Sequence, residues 1–208
     1  MEYSKEFKTA LSNFSSIEKD RLIFRLLKKD KLLSKKLYFE LIDTETTDQK
    51  RDQMEELIEE KVLSASKHLS NPKYFLVLIR KLSAEITEHI KVTTDKFGEV
   101  SLHLFLINKI LDHNDKLSHQ RFDNVYKLYL YLINKLIKAL LTIKKLDEDY
   151  WIEFDELLEE LETKILKNNY LQKLCINNSF DFNWLKSDGI PENLDLIIKG
   201  IKSQGFLK

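Results

Sequence analysis

Helix-breaking residues are scarce in this chain, and that constrains its fold more than any other feature. Four Gly and two Pro occur in 208 residues, about 3% together where an average protein has about 12%. Leu and Ile supply 55 residues and Val only five. Sheets need β-branched residues, and their turns need Gly and Pro, so strands are disfavoured. Leu, Lys and Glu lose little side-chain entropy in a helix. The composition predicts an all-α protein of nine or ten helices in antiparallel hairpins, either a compact bundle or a HEAT-like α-α superhelix.

Apolar residues recur at three and four nearly end to end. Tyr3, Phe7, Ala10 and Leu11 share one face. Ser15 and Glu18 form a capping box that starts a second helix, with Leu22, Ile23, Leu26 and Leu27 as its buried stripe. Asp30 caps a third helix with Leu33, Leu37, Tyr38 and Leu41 expected inward. Residues 43–48 hold no apolar side chain and read as a loop. A longer helix spans about 48–69. Asn71-Pro72 restarts the chain, because Asn caps and Pro fits the first helical position. Phe75, Ile79, Leu82, Ile86 and Ile90 mark the next helix, which Gly98 is expected to break. Residues 99–112 are apolar nearly all round and 122–143 on most sides, and both are expected at the centre of the fold. The polar segment 112–121 between them reads as a loop.

An amphipathic helix is predicted over 147–167, with Trp151, Phe154, Leu158, Leu161 and Ile165 as its stripe. Short helices follow around 170–177 and 179–187. Pro191 opens the last helix, and Ser203–Lys208 are expected to fray. No linker marks a boundary, so the chain reads as one domain over 1–208; a division into lobes 1–112 and 122–208 is the weaker option. A faint 48-residue echo, Leu69-Ser70 against Leu117-Ser118, has the period of a helical pair.

Charge is balanced at 34 basic and 34 acidic residues. A general nucleic-acid binder needs surplus cations to displace condensed counterions, so nucleic acid is a disfavoured partner. No apolar run approaches the ~20 residues of a spanning helix, and no signal-peptide core opens the chain. One cysteine, Cys175, cannot form an internal disulfide and reads as a small buried hydrophobe. These features lead us to expect a soluble cytoplasmic protein with no membrane partner.

No phosphate loop, dinucleotide fingerprint, nucleophile elbow or zinc motif occurs. Neither a catalytic residue nor a cofactor is therefore assigned, and an enzyme is disfavoured. Glu85 and His89, four apart on a helix flank, with His103 on the next helix, are the one metal-site alternative. Their spacing differs from the Glu-x-x-His of di-iron bundles, and a simple hydrogen bond explains them as well. His113 and His119 flank the polar loop and read as solvated.

The strongest electrostatic feature is acidic. Nine acids and no base lie between Asp147 and Glu162. They read first as a solvated, dipole-matched face, and second as a partner surface built on Asp149, Trp151, Glu153, Glu156 and Glu160. A basic cluster, Arg25, Lys28, Lys29, Lys31, Lys35 and Lys36, flanks the second and third helices and is the phosphate-contacting alternative. Lys135, Lys138, Lys144 and Lys145 form another, expected to pair with the acidic helix that follows. Tyr126, Tyr129 and Tyr131 read as core and core rim. Together these features favour a noncatalytic interaction or scaffold module whose partner is another protein, of basic character; self-association stays open.

Overall fold

The computed structural model of the protein describes residues 2–207. They hold eleven α-helices, three 3-10 turns and no strand, as the composition requires. The chain separates into two compact units, Met1–Thr44 with Lys91–Thr93, and Glu45–Ile90 with Thr94–Lys208.

The smaller unit contains α1 (Lys5–Ser12), α2 (Ser16–Lys29) and α3 (Lys31–Leu41). Each starts where a side chain can take a free helix-start N–H. Ser4 accepts from Phe7 N at 3.3 Å. Ser15 and Glu18 form the reciprocal box, Glu18 N donating to Ser15 Oγ and Ser15 N to Glu18 Oε2. The Ser15 hydroxyl and then its backbone N–H hold the Glu18 carboxyl below its usual pKa. Asp30 ends α2 and begins α3, accepting from Leu33 N at 2.9 Å. None of the three helices buries a residue, so the stripes expected to be buried on α2 and α3 are not: three short helices enclose too little volume for a core, and Ile23, Leu26, Leu33, Tyr38 and Leu41 are exposed.

The larger unit begins with α4 (Thr47–Ser66), capped by a Thr46–Gln49 box. α5 (Pro72–Thr93), which belongs to this unit as far as Ile90, starts on Asn71, which accepts from Tyr74 N. The next break comes earlier than Gly98. Thr94 turns the chain in the left-handed region, at φ 55°, and Asp95 caps α6 (Lys96–Leu111) by accepting from Gly98 N at 2.8 Å. Gly98 therefore lies inside the first turn of α6. The Asp95 carboxylate occupies the place of its missing side chain: a Cβ there would meet Asp95 Oδ2 at 2.1 Å.

α6 is the central rod. It packs against α4, α8 (Phe122–Ile143) and α9 (Asp155–Leu166), while α8 also meets α10 (Asn169–Asn177). Val100, Leu102, Leu104, Leu106, Ile107 and Ile110 of α6 are buried, as are Val125, Leu128, Tyr129, Leu132, Leu136 and Leu140 of α8. The helices on either side of 112–121 thus pack directly on one another. That segment is not wholly a loop: its one apolar residue, Leu117, is fully buried and anchors the short α7 (Asn114–Ser118). Tyr126 and Tyr131 lie at the rim of the core, and Cys175 is buried, its thiol pushed up to about 12 by desolvation.

Two further departures follow from local hydrogen bonding. Residues 179–187 wind as 3-10 turns, Phe182–Leu185 and the start of Ser187–Gly189, because Asp181 caps only two residues ahead. The last helix, α11 (Leu194–Ser203), begins after Pro191 and has no side-chain cap. Beyond it the chain does not fray at once. Leu207 is buried, its N–H donating to Asn178 Oδ1 at 2.7 Å and its carbonyl accepting from Asn134 Nδ2 at 3.3 Å.

Candidate functional site

The acidic run is where the local winding departs most from expectation. Residues 147–154 are not α-helical. Asp147 accepts from Asp149 N, and Glu148–Phe154 form a 3-10 turn that leads into α9. A 3-10 helix has three residues per turn, so residues three apart eclipse. Tyr150 therefore stands over Glu153, and Trp151 over Phe154, with Ile152 on the third side.

This winding decides which side chains are held and which project. Phe154 is fully buried and stacks on Phe97 at 4.8 Å. Trp151 is half-buried: its Nε1 donates to Leu146 O at 3.3 Å, and the Lys144 ammonium lies 3.9 Å over its ring while also pairing with Glu192. Tyr150, its ring edge-on to Phe97 at 6.2 Å, and Ile152 remain 52% and 70% exposed. Large apolar groups on an otherwise anchored turn form a projecting ridge.

Two clefts flank the ridge. One, of about 610 Å³, is lined by Arg51, Lys96, Phe97, Tyr150 and Glu153 among others. Its floor is cross-linked by Arg51, which donates to Asp95 Oδ2 at 2.8 Å, lies over Phe97 at 4.7 Å and pairs with Asp48. Burial alone would lower the guanidinium's pKa, but Asp95, Asp48 and Glu55 outweigh it and hold it above its ordinary value. The other cleft, of about 580 Å³, is lined by Trp151, Ile152, Asp155, Lys186 and Ser187 among others. Asp155 closes its wall, accepting from Ser187 N and Oγ at 3.0 Å each.

The acids proposed from sequence divide into free and engaged. Asp149, Glu153 and Glu156 are exposed. Glu160 pairs with Lys164 at 2.8 Å, and Lys164 also pairs with Asp112. Among the described residues no cation pairs with Glu148, Asp149, Glu153, Glu156 or Glu159. The basic residues of α8 and its end form no ion pair with this face. Lys138 pairs with Glu99 at 3.5 Å, Lys144 with Glu192, and Lys135 donates to Ser83 Oγ. The reason is packing: α9 lies on α6 and α10, so the expected pairing between the two charged stretches does not form. Tyr150 and Ile152 were not singled out from sequence. Asp147 followed by Asp149 was the available sign that a tight turn precedes the helix.

A second polar cluster lies between α5, α6 and α8. Lys135 sits beside Ser83 and the Tyr131 ring, and burial, helped by Lys138, brings its pKa down to about 8. His103 is 3% exposed, and burial together with Lys135 and Lys138 lowers it to about 3. It is thus a neutral core histidine. The metal alternative gains no geometry: Glu85 is bound to Lys61 of α4, and no three His, Cys, Asp or Glu side chains come close enough to hold an ion among the described residues. His119 turns back to the Asp115 carbonyl and lines a cleft of about 530 Å³ with Leu69, Ser70 and Lys116.

The basic cluster lies on the smaller unit. Arg25, Lys28, Lys29, Lys31 and Lys35 are exposed, and Lys36 reaches Glu40 at 3.8 Å. No helix among the described residues is long and apolar enough to cross a membrane.

Fold and site together define an all-α protein with an acidic, aromatic-tipped ridge. Comparison with protein-family models, curated proteins and solved structures finds no match, so the functional reading rests on the physical chemistry of that ridge.

Proposed function

We propose that this chain is a noncatalytic protein-interaction module whose acidic ridge receives a basic partner. The observation that carries the reading is the projection of Tyr150 and Ile152, 52% and 70% exposed, from an anchored turn rimmed by acids without cationic partners. Interfaces draw affinity from a few apolar or aromatic anchors, while rim charges select partners and raise encounter rates. The ridge supplies both. The single buried cysteine accords with a reducing, cytoplasmic setting.

Cross-linked pull-down with the intact chain and with a Glu153→Lys/Glu156→Lys/Glu160→Lys variant tests this. Partners captured by the intact chain should be lost from the variant, and salt should weaken the capture. Equal recovery of every partner would remove the ridge from consideration.

A second reading, contact with a nucleic-acid backbone through Arg25, Lys28, Lys29, Lys35 and Lys36, is favoured only by their exposure on one small unit. It requires retention on DNA or RNA that falls steeply with salt; no retention at low salt ends it.

A further inference from the structure

One partly buried lysine breaks a pattern that the others keep. Lys50 pairs with Glu45, Lys109 with Glu59, Lys144 with Glu192, and Lys164 with Asp112 and Glu160. Lys135 of α8 is also partly buried, yet among the described residues it forms no ion pair. Its ammonium donates instead to Ser83 Oγ, a neutral group on α5 in a residue only 5% exposed. A cation withdrawn from water without an anion beside it is costly, and it gives up its proton more readily.

The neighbours act in the same direction. Tyr131, one turn back on α8, has Lys135 over its ring at 5.7 Å and Arg80 of α5 at 5.5 Å. Burial raises the pKa of the Tyr131 hydroxyl, which interacts with Ser83, so it keeps its proton as a hydrogen-bond donor. Lys138 follows on α8, its ammonium 3.5 Å from Glu99 of α6. His103 of α6 is neutral, held at about 3 by burial and by both lysines. Glu99 favours the charged form of Lys135, but burial and then Lys138 outweigh it and bring the amine from 10.5 to about 8. At about pH 7.5 roughly a quarter of such an amine is neutral, against about a thousandth of an ordinary lysine.

A neutral amine is a nucleophile. The groups around this one, two hydroxyls and an ammonium, are hydrogen-bond donors suited to an oxyanion. We propose that Lys135 is a modification site for dissolved carbon dioxide, and that the Ser83 and Tyr131 hydroxyls and the Lys138 ammonium hold the resulting carbamate. The amine lone pair attacks the carbon of CO2. An N–C bond forms, one C=O π pair moves onto oxygen, and the proton lost from nitrogen passes to solvent. The product exchanges an unpaired cation for an anion with donors around it. CO2 is small and uncharged, so it reaches a partly enclosed amine. Acid or removal of CO2 reverses the step.

Equilibration of the full chain with isotope-labelled bicarbonate at about pH 7.5, followed by triethyloxonium ion, tests this. The reagent fixes a carbamate as its ethyl ester, and mass spectrometry of the peptides locates the label. Lys135 should carry about tenfold or more label than any other lysine, in keeping with its larger neutral fraction. Unfolding in guanidinium chloride before exposure should erase that preference, since the lowered proton affinity belongs to the fold. Lys138→Gln removes an exposed side chain, leaves the far-UV circular dichroism unchanged, and should lower labelling of Lys135 several-fold. It restores proton affinity to the amine and takes away the cation that holds the product.

A folded chain without label on Lys135, or with label spread evenly over its lysines, overturns the proposal. So does a preference for Lys135 that survives unfolding. A Lys138→Gln variant labelled as fully as the intact chain overturns it as well.

Discussion

Two glycines in the larger unit should respond to the same substitution with opposite signs. Gly200 lies inside α11, and a Cβ there meets nothing within 4 Å. Gly200→Ala removes backbone freedom from the unfolded chain and should stabilise by about 0.5–1 kcal/mol. At about 2–4 °C per kcal/mol for a chain of this size, Tm should rise by about 1–4 °C.

At Gly98 the new Cβ falls 2.1 Å from Asp95 Oδ2, 2.6 Å from its Cγ and 3.1 Å from Arg51 Nε. That carboxylate cannot simply swing aside. One oxygen accepts from Gly98 N at 2.8 Å, the other from Arg51 Nε at 2.8 Å, and the Asp95 side chain is 4% exposed. Displacing it removes an N-cap worth about 1 kcal/mol. It also disrupts an ion pair whose complete loss in a buried site costs about 3–5 kcal/mol. Allowing for partial retention of the pair and for alanine's helix preference, the net loss should be about 2–4 kcal/mol. That corresponds to a fall in Tm of about 4–16 °C. Thermal and urea unfolding of both variants, followed by far-UV circular dichroism, make the comparison. A Gly98→Ala variant that melts with or above the intact chain would refute the reasoning, because the carboxylate would then not be fixed.

Three other outcomes follow from the core. Folded His103 releases its proton at about 3, well below the ordinary imidazole value of 6.5, so between those limits the unfolded chain binds more protons. Stability should therefore fall as pH drops from about 6.5 toward 3, by up to about 1.4 kcal/mol per pH unit from this group. His89 and His113 are shifted in the same direction, so the measurement is the difference from His103→Leu, whose acid limb should be shallower; identical limbs would sink the idea. Asn168 is fully buried, caps α10 through Leu171 N and donates to Tyr129 Oη at 2.8 Å and Asn114 Oδ1 at 3.0 Å. Asn168→Ala should cost about 2–4 kcal/mol in urea unfolding, the sum of a lost cap and an orphaned buried hydroxyl, and a loss below about 1 kcal/mol would contradict that network. Cys175, buried with its thiol at about 12, should react with a disulfide reagent only as the chain unfolds, so labelling should track denaturant; rapid labelling of the native protein would show the site to be open.

Much of the fold was legible because its signals are local. The Ser15–Glu18 box, the Asp30 junction and the Asn71-Pro72 restart each need only neighbouring residues, and all stand where the sequence placed them. The largely apolar runs 100–111 and 125–141 likewise identified the central pair α6 and α8, since helices with so little polar surface must be covered on most sides, even though Lys127 and Lys138 keep an edge of α8 exposed. Errors arose where a distant group competed with the local pattern. Gly98 read as a breaker, yet it sits inside α6 because the Asp95 carboxylate, held by Arg51 from α4, fills its side-chain space. Leu207 read as a fraying end, yet Asn178 and Asn134 take up its backbone groups.

The ridge shows the same division. Sequence determined that 147–162 is acidic and that it contains Trp151. Tertiary structure decided that most of these acids form no ion pair, because α9 packs on α6 and α10 while Lys138 and Lys144 pair with Glu99 and Glu192. It also decided that Tyr150 and Ile152 project, through a three-residue winding that periodicity at 3.6 could not anticipate. Helix starts and apolar stripes are set by residues within a few positions of one another, so a single chain reads them out. Which charges are cancelled depends on which helices become neighbours, and that is settled only when the whole core closes.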